Sequence, residues 1–235
     1  MCQMAESRRV TRRTWMGCLA AAGGAAAVRT AMPTPAFGGD VVETARLTPQ
    51  AALDCLEAGN RRFVAGETLA PNRDIARLRA VAPRQTPFAA FLGCADSRVP
   101  IEILFDQGFG DLFVTRIAGN VAATENIASL EFATQVLGAK VLYVLGHTSC
   151  GAVAAAAKAE PVPGQISALF QHIRPAVRAA KGDVAAAVRE NVRLQAQTLV
   201  EASPVIAALV KDGKVIVAGG IFDLESGRVD PVGLE

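Results

Sequence analysis

The chain has 235 residues, of which 51% are apolar and 20% are charged. It is long enough for one α/β domain with a sizeable core, and its composition excludes a disordered protein. A net charge of +2 with a single Tyr and a single Trp argues against nucleic-acid binding, which needs a basic surface and stacking aromatic side chains.

Residues 1–36 are predicted to be an export signal that does not belong to the folded domain. Removing their five arginines and one acid changes the net charge from +2 to −2. Their apolar stretch, residues 15–28, is Gly/Ala-rich and too short for a stable membrane span. The motif "TRRTWM" (residues 11–16) resembles a twin-arginine signal, which directs export of a folded protein. We therefore expect a periplasmic or otherwise exported protein; a disordered extension is the alternative.

The cysteines limit the chemistry that the chain can carry. Of five cysteines, Cys2 and Cys18 leave with the signal, and Cys55 lies in a helical pattern as a buried apolar residue. Cys94 and Cys150 either form a disulfide in an oxidising compartment or share a metal ion. Export in the folded state favours the metal, because the metal can bind in the cytoplasm beforehand.

A linker over residues 37–47 precedes the predicted domain, residues 48–235. The first helix is predicted to begin at an N-cap Thr48, with Pro49 in its first turn, and to end at Gly66. A polar connection with one helical turn follows. The remaining predicted elements are strands 87–94, 111–119, 140–147 and 214–223, helices 124–138 (capped by Thr124), 150–159, 165–180 and 183–203, and a turn with a short edge strand over 224–232.

The strands are continuous apolar runs that alternate with helices. This pattern predicts an α/β fold, a mainly parallel β-sheet flanked by helices on both faces. Ligands bind in such folds at the carboxyl ends of the strands. Cys94 lies at the carboxyl end of one predicted strand, and His147 and Cys150 lie at the carboxyl end of another. The sequence therefore predicts that these three side chains meet at one edge of the sheet.

Two thiolates and one imidazole form a ligand set that suits zinc. In "VLGHTSCG" (residues 144–151), His147 and Cys150 have the spacing H-x-x-C at the entry to a helix, so both can reach one ion. Three protein ligands leave the fourth tetrahedral position open, which is typical of catalytic rather than structural zinc.

Asp96 and Arg98 follow Cys94 in "GCADSRV" (residues 93–99). The Asp96 carboxylate can fill the fourth zinc position or accept a hydrogen bond from a zinc-bound water, and Arg98 is its natural bidentate partner. In the simplest alternative the pair is a surface salt bridge of little energetic consequence. Near a metal, the guanidinium keeps Asp96 ionised and turned away, so water binds zinc and ionises near neutral pH.

The motifs "CADSR" and "HTSCG" resemble those of the β-class carbonic anhydrases. The resemblance extends over all but about the first 45 residues: "LEAGNRRFVAG" is similar to the family's N-terminal helical arm, "TRIAGN" to its second strand and loop, and "GGIFDLESGRV" to its last strand and turn. It implies reversible hydration of CO2 to bicarbonate and a proton by a zinc-bound hydroxide, one Zn²⁺ per subunit, and a homodimer, or a larger assembly of dimers, with sites at the subunit interface.

The resemblance also implies roles for individual residues. Cys94, His147 and Cys150 would bind zinc, and Asp96 and Arg98 would form a dyad whose aspartate closes onto zinc in one subgroup. The substrate would contact, in addition, Gln85 from across the interface, the Gly151 N–H, and an apolar pocket formed by Phe113, Ala118 and Phe132.

One subgroup of the family binds an inhibitory bicarbonate with a tryptophan, an arginine and a tyrosine. The matching residues here are Phe91, Arg116 and Phe222, so two hydrogen-bonding partners are missing and we predict no such site. Two alternative functions remain open: hydrolysis of carbonyl sulfide or carbon disulfide at the same site, and a non-enzymatic, redox-responsive zinc module in which Cys94 and Cys150 form a disulfide.

Overall fold

The computed structural model describes residues 47–158 and 160–234. The predicted signal, residues 1–36, and nearly all of the predicted linker lie outside the described residues. Among the described residues, no helix has the length and apolar character needed to cross a membrane.

The chain alternates strands and helices, as the sequence predicts. The strands are β1 (Ala89–Gly93), β2 (Leu112–Arg116), β3 (Val141–His147), β4 (Ile216–Phe222) and β5 (Val229–Pro231). The α-helices are α1 (Pro49–Ala65), α2 (Ile75–Val81), α3 (Ile101–Leu104), α4 (Thr124–Glu131), α5 (Gly151–Lys158), α6 (Phe170–Ala179), α7 (Val184–Ala202) and α8 (Pro204–Lys211). A π-helical segment, Phe132–Val136, extends α4, and a 3₁₀ turn, Ile166–Leu169, precedes α6.

In the described part of the chain, five strands form one sheet in the order β2-β1-β3-β4-β5. The first four strands are parallel, and β5 pairs with β4 in the antiparallel direction. All residues of β1 and β3 are buried, which confirms that helices cover both faces of the sheet. The predicted α/β fold with a mainly parallel sheet is therefore confirmed.

Successive strand residues point to opposite faces, so the sheet separates two cores. Ala90 and Leu92 of β1 pack with residues of α4 to α8, whereas Ala89 and Phe91 pack with α1 and α3. Helix α7 comes especially close to the sheet: a Cβ added to Gly146 or Gly219 would lie 2.7 Å from the methyl groups of Val192. Glycine at these two strand positions therefore allows α7 to pack directly against β3 and β4.

Helix α1 has the predicted ends. Thr48 accepts a hydrogen bond from the Ala51 amide, Pro49 lies in the first turn, and Gly66 ends the helix with a φ of 72°. Cys55 is only half-buried in α1, so the prediction that it is a buried core residue is wrong. It lies at the border of the α1 face, where it contacts the core without being enclosed by it.

Two local predictions need correction, and two helices were not predicted. Thr124 is the first residue of α4 and not its cap, because the chain is still extended at Ala123. The polar connection contains the seven-residue helix α2, whose Asp74 cap accepts a hydrogen bond from the Arg77 amide. The helices that were not predicted are α3 and α8. The cap of α8 is Ser203, followed by a proline in the first turn, so this helix did carry a readable signal.

Candidate metal centre and active site

The carboxyl ends of β1 and β3 bring the three predicted ligands together. Gly93, the last residue of β1, pairs with Leu145 of β3, so Cys94 lies level with Gly146 and one residue from His147. Ser149 then turns the chain with a left-handed φ of 56°, and Cys150 immediately precedes α5. The predicted convergence of Cys94, His147 and Cys150 at one edge of the sheet is confirmed.

These three side chains form a compact, buried set of potential ligands. The two sulfurs and one imidazole nitrogen lie within 4.8 Å of one another, and none of the residues is more than 3% exposed. Cys94 and Cys150 are free thiols and are not joined to each other. Soft sulfur with imidazole is the donor set that zinc prefers.

The hydrogen bonds of His147 indicate which nitrogen faces the metal position. Its Nδ1 lies 2.9 Å from the carbonyl oxygen of Thr148, which can only accept, so Nδ1 carries the proton. The lone pair is then on Nε2, a buried atom that has no hydrogen-bond partner within residues 47–158 and 160–234. A buried acceptor without a partner is costly, and a metal bound to Nε2 removes that cost. The residues present therefore fit a zinc ion.

The two thiols favour a thiolate at Cys94. The pKa of Cys94 is lowered, mainly by a hydrogen bond from Cys150 and also by the Gly119 amide, against the effect of burial. The pKa of Cys150 is raised because the Cys94 thiolate shares its proton. Thiolate is the form that binds metal, so a lowered pKa of Cys94 favours metal binding.

Asp96 and Arg98 form a bidentate pair beside the three ligands. Arg98 Nε donates to Asp96 Oδ1 at 2.9 Å and Arg98 Nη2 donates to Oδ2 at 2.7 Å, and the Arg98 amide also donates to Oδ1. These bonds hold the pKa of the Asp96 carboxyl well below its usual range, so the group is ionised. Asp96 Oδ2 lies 3.8 Å from His147 Nε2, so the carboxylate borders the metal position while it binds the guanidinium.

Two contacts that were not predicted stabilise the end of β1. Arg116, at the end of β2, donates to the carbonyl oxygens of Cys94 and Asp96, with Nε at 2.8 Å from the first. The amide of Gly119 donates to Cys94 Sγ at 3.3 Å. Both partners belong to "TRIAGN" (residues 115–120), but the sequence does not indicate which atoms this segment contacts.

The other predicted site residues are spread more widely. The rings of Phe113 and Phe132 lie 6.5 Å apart, with Phe132 45% exposed, and Ala118 is half-buried on the loop after β2. Gly151 is the exposed first residue of α5, next to Cys150. Gln85 is exposed in the segment between α2 and β1. The roles assigned to these residues, and to the dyad, stay predictions.

At the three positions that match the inhibitory bicarbonate site, Phe91 and Phe222 are buried in the core on the α1 face. Arg116 is directed to backbone carbonyls, as described above. The absence of an inhibitory bicarbonate stays a prediction, and the lack of polar atoms on the two phenylalanine rings supports it.

Comparison with known proteins identifies the family. A family model described as carbonic anhydrase matches residues 89–229. The chain is 37% identical to carbonic anhydrase 2 of Mycobacterium tuberculosis, over 77% of this chain and 91% of that protein, and 37% identical to a carbonic anhydrase of Mycolicibacterium smegmatis, over 77% and 92%.

Solved structures agree with this result. The β-carbonic anhydrase CafA of Aspergillus fumigatus superposes with a TM-score of 0.63 at 27% identity, covering 79% of this chain and 91% of that chain. The Coccomyxa β-carbonic anhydrase, solved with acetazolamide, superposes with a TM-score of 0.60 at 28% identity, covering 77% and 81%. The chain therefore belongs to the β-class carbonic anhydrase family.

Proposed function

We propose that the protein is a zinc carbonic anhydrase that catalyses reversible hydration of CO2 to bicarbonate and a proton. The observation that carries this proposal is the buried Nε2 of His147, which has no partner among the described residues, in a set with two cysteine sulfurs and beside an ionised aspartate. Cys94, His147 and Cys150 would bind the ion. Zinc supplies Lewis acidity, which lowers the pKa of a bound water toward about 7.

The Asp96–Arg98 pair would position the attacking water. Because Asp96 is ionised, its carboxylate only accepts hydrogen bonds. Asp96 Oδ2, the oxygen that borders the metal position, would accept a hydrogen bond from the water and so aim its remaining lone pair at CO2. Arg98 holds the carboxylate in this orientation through both of its oxygens. Bound to Arg98 in this way, Asp96 would not be a metal ligand.

An apolar wall would bind the substrate. CO2 has no net dipole and competes with water for the site, so aromatic and methyl groups favour it. We assign this wall to Phe113, Ala118 and Phe132. The exposed ring of Phe132 leaves the wall open on one side in a single chain.

A second copy of the chain would close the site. Large apolar side chains are exposed on α1, on α2, between these two helices and one turn after Phe132, and exposed apolar patches mark protein–protein interfaces. They are Val64, Leu69, Ile75, Leu78 and Val136. We assign this surface to a homodimer in which Gln85 reaches the partner's substrate. A related fold at 24% identity, a β-carbonic anhydrase of Sordaria macrospora, is described as tetrameric. Size-exclusion chromatography with light scattering tests the dimer, and a monomer at micromolar concentration would contradict it.

Stopped-flow CO2 hydration against pH, with zinc content measured on the same sample, tests the function. We expect one zinc per chain and hydratase activity that is lost with the metal in Cys150→Ala. Full zinc occupancy without hydratase activity across pH 7 to 9 would refute the proposal. Parallel assays with carbonyl sulfide and carbon disulfide would show whether either is the better substrate.

We propose further that residues 1–36 direct export by the twin-arginine pathway. The paired arginines of "TRRTWM" and the short Gly/Ala-rich stretch support this assignment. The test is a fusion of these residues to a reporter that is active only after export as a folded protein. Replacing Arg12 and Arg13 with lysine should abolish export, and export that persists would contradict the assignment.

A further inference from the structure

A series of buried hydrogen bonds connects α7 with the metal centre through the loop after β2. Asn191 and Gln195 lie one turn apart on α7, each 1% exposed, inside the core that covers one face of the sheet. Two amide side chains in an apolar core carry a desolvation cost that only complete hydrogen bonding offsets. The partners of these amides therefore indicate what the two residues do.

Gln195 uses all of its hydrogen-bonding groups. Its Nε2 donates to the backbone oxygen of His172 and to Oδ1 of Asn191, both at 3.0 Å. Its Oε1 accepts from the amide of Ala122 at 2.8 Å. Gln195 thus fixes the far end of the loop after β2 and also orients the side chain of Asn191.

Asn191, oriented in this way, binds the backbone of the loop after β2. With Oδ1 held by Gln195, its Nδ2 donates to the carbonyl oxygen of Gly119 at 2.8 Å. The amide of the same glycine donates to Cys94 Sγ at 3.3 Å. Gly119 is therefore held on one side by α7 and on the other by a sulfur of the metal centre.

Gly119 needs such external anchors. Its φ is +76°, and an added Cβ would lie 2.7 Å from Ile173 Cδ1, so no other residue fits this position without a shift. Glycine has the most permissive backbone of all residues. The Gly119 carbonyl belongs to the peptide unit whose N–H, that of Asn120, donates to the Ile117 carbonyl at 2.9 Å. This turn and the Asn191 amide together hold the backbone that carries the Gly119 N–H.

We propose that Asn191 and Gln195 are positioning residues of the metal centre, which hold the Gly119 N–H on the Cys94 sulfur. A hydrogen bond to a ligand sulfur fixes its position and tempers its electron donation, and outer partners of this kind tune metal affinity. This inference rests on the proposed zinc site. Asn191 and Gln195, about a hundred positions after Cys94 and on the other side of the loop after β2, would thus influence the metal affinity of the site.

The test compares Asn191→Leu and Gln195→Met with a matched control, Asn60→Leu. Asn60 is also a buried helical asparagine that binds backbone: its Nδ2 donates to Leu104 and Gly227 carbonyls, and its Oδ1 accepts from the Val229 amide. It lies on α1, which packs against the opposite face of the sheet from α7. Loss of stability is expected in all three variants, so stability alone does not distinguish them.

The decisive readouts are the zinc Kd, measured by competition with a chelator, and the sulfur-to-metal charge-transfer band of the cobalt(II)-substituted protein. We expect Asn191→Leu to raise the zinc Kd about tenfold, at the low end of known outer-partner effects, and to shift the band. Gln195→Met should do the same to a smaller extent, and Asn60→Leu should keep both readouts at the wild-type value. Unchanged readouts in a folded Asn191→Leu, or equal changes in Asn60→Leu, would overturn the proposal.

A measurement on the unmodified protein covers the case in which Asn191→Leu does not fold. With cadmium-113 in the site, the Gly119 amide proton should show scalar coupling to the metal through the sulfur. No coupling at Gly119 in the wild-type protein would overturn the proposal. Failure of the proposed function has a different signature, because the wild-type protein would then bind no zinc or hydrate no CO2.

Discussion

Asp96 and Asp106 are both held by arginine, one at the end of β1 and the other just after α3. Asp106 is 0% exposed and accepts from Arg62 Nε at 2.7 Å, with Arg73 Nη2 at 3.5 Å. Asp96 is 17% exposed, and its arginine, Arg98, is 52% exposed. Arg98 lowers the pKa of the Asp96 carboxyl below its usual range. Burial raises the pKa of the Asp106 carboxyl, but the hydrogen bonds from Arg62 and two backbone amides outweigh it, so this pKa is lowered too.

Each aspartate accepts three hydrogen bonds, and the two differ in what faces the remaining acceptor position. Asp106 Oδ2 accepts from Arg62 and the Leu69 amide, and Oδ1 accepts from the Ala70 amide and faces the Arg73 cation at 3.5 Å. Asp96 Oδ2 has one donor, Arg98, and borders His147 Nε2 at 3.8 Å. A carboxylate oxygen can accept two hydrogen bonds. Asp106 is fully buried with a second arginine beside its remaining acceptor position and is therefore a structural anchor. Asp96 has its unused lone pair beside the metal position, so it can act on a substrate.

The largest effect is expected from Asp96→Asn. The amide keeps the shape of the side chain but no longer offers two anionic oxygens to Arg98 and to the attacking water. We expect kcat for CO2 hydration to fall about 10²-fold, in the range of lost proton-handling groups. Zinc content and the midpoint of urea unfolding should stay close to the wild-type values. Wild-type activity in this variant would show that the unused lone pair has no role.

Asp106→Asn should have the opposite profile. It leaves Arg62 and Arg73 without an anionic partner and places an NH2 group against donors. The expected cost is about 3 kcal/mol in the free energy of unfolding, because one member of a buried ion pair is removed. Activity per bound zinc should stay within about twofold of wild type, measured where the variant is folded. If activity per zinc falls as far as in Asp96→Asn, the two aspartates are not functionally distinct.

The pH dependence of stability provides a separate test of Asp106. Its pKa is lower in the folded protein than in the unfolded chain, so the unfolded chain binds the proton first as pH falls. The stabilisation is therefore fully present above about pH 4 and is lost as pH falls through the lower, folded-state pKa. The gap in unfolding free energy between wild type and Asp106→Asn should narrow over this range. Urea midpoints at several acidic pH values measure it, and a constant gap would contradict the assignment.

The sequence was sufficient to predict the metal centre because its residues follow strands. Cys94 and His147 follow continuous apolar runs, and the carboxyl ends of such strands lie at the same edge of a parallel sheet. Asp96 and Arg98 are two residues apart, so their pairing is local. The main sheet was predictable from its continuous apolar runs, and helix α1 was predictable from its periodicity and its caps.

The Asp106 cluster and the chain behind Cys94 were not predictable in this way. Asp106 binds Arg62 and Leu69, which lie 44 and 37 residues earlier. Asn191 binds Gly119 across 72 residues. Such pairs depend on how the helices dock on the sheet, and a single sequence has no local signal for docking. The short helix α3 was missed because four residues show no helical period.

The smallest effects are expected when each aspartate keeps a cation but loses the guanidinium. Lysine retains the charge of arginine but cannot make two parallel bonds. In Arg98→Lys the Asp96 carboxylate keeps the bond from the backbone amide of residue 98 and can rotate about it. We expect kcat to fall about tenfold, less than the roughly 10²-fold that a 1 Å misplacement can cost.

Arg62→Lys should leave kcat unchanged and lower the free energy of unfolding by about 1 kcal/mol, since one charged hydrogen bond is weakened while two backbone amides still hold Asp106. Stopped-flow kinetics and urea unfolding, each measured on Arg98→Lys and Arg62→Lys, compare the effects on kcat and on stability at the two aspartates. If Arg98→Lys loses stability and keeps its kcat, the guanidinium acts as an anchor at both aspartates. The contribution of the unused Asp96 lone pair to kcat would then not depend on the Arg98 guanidinium.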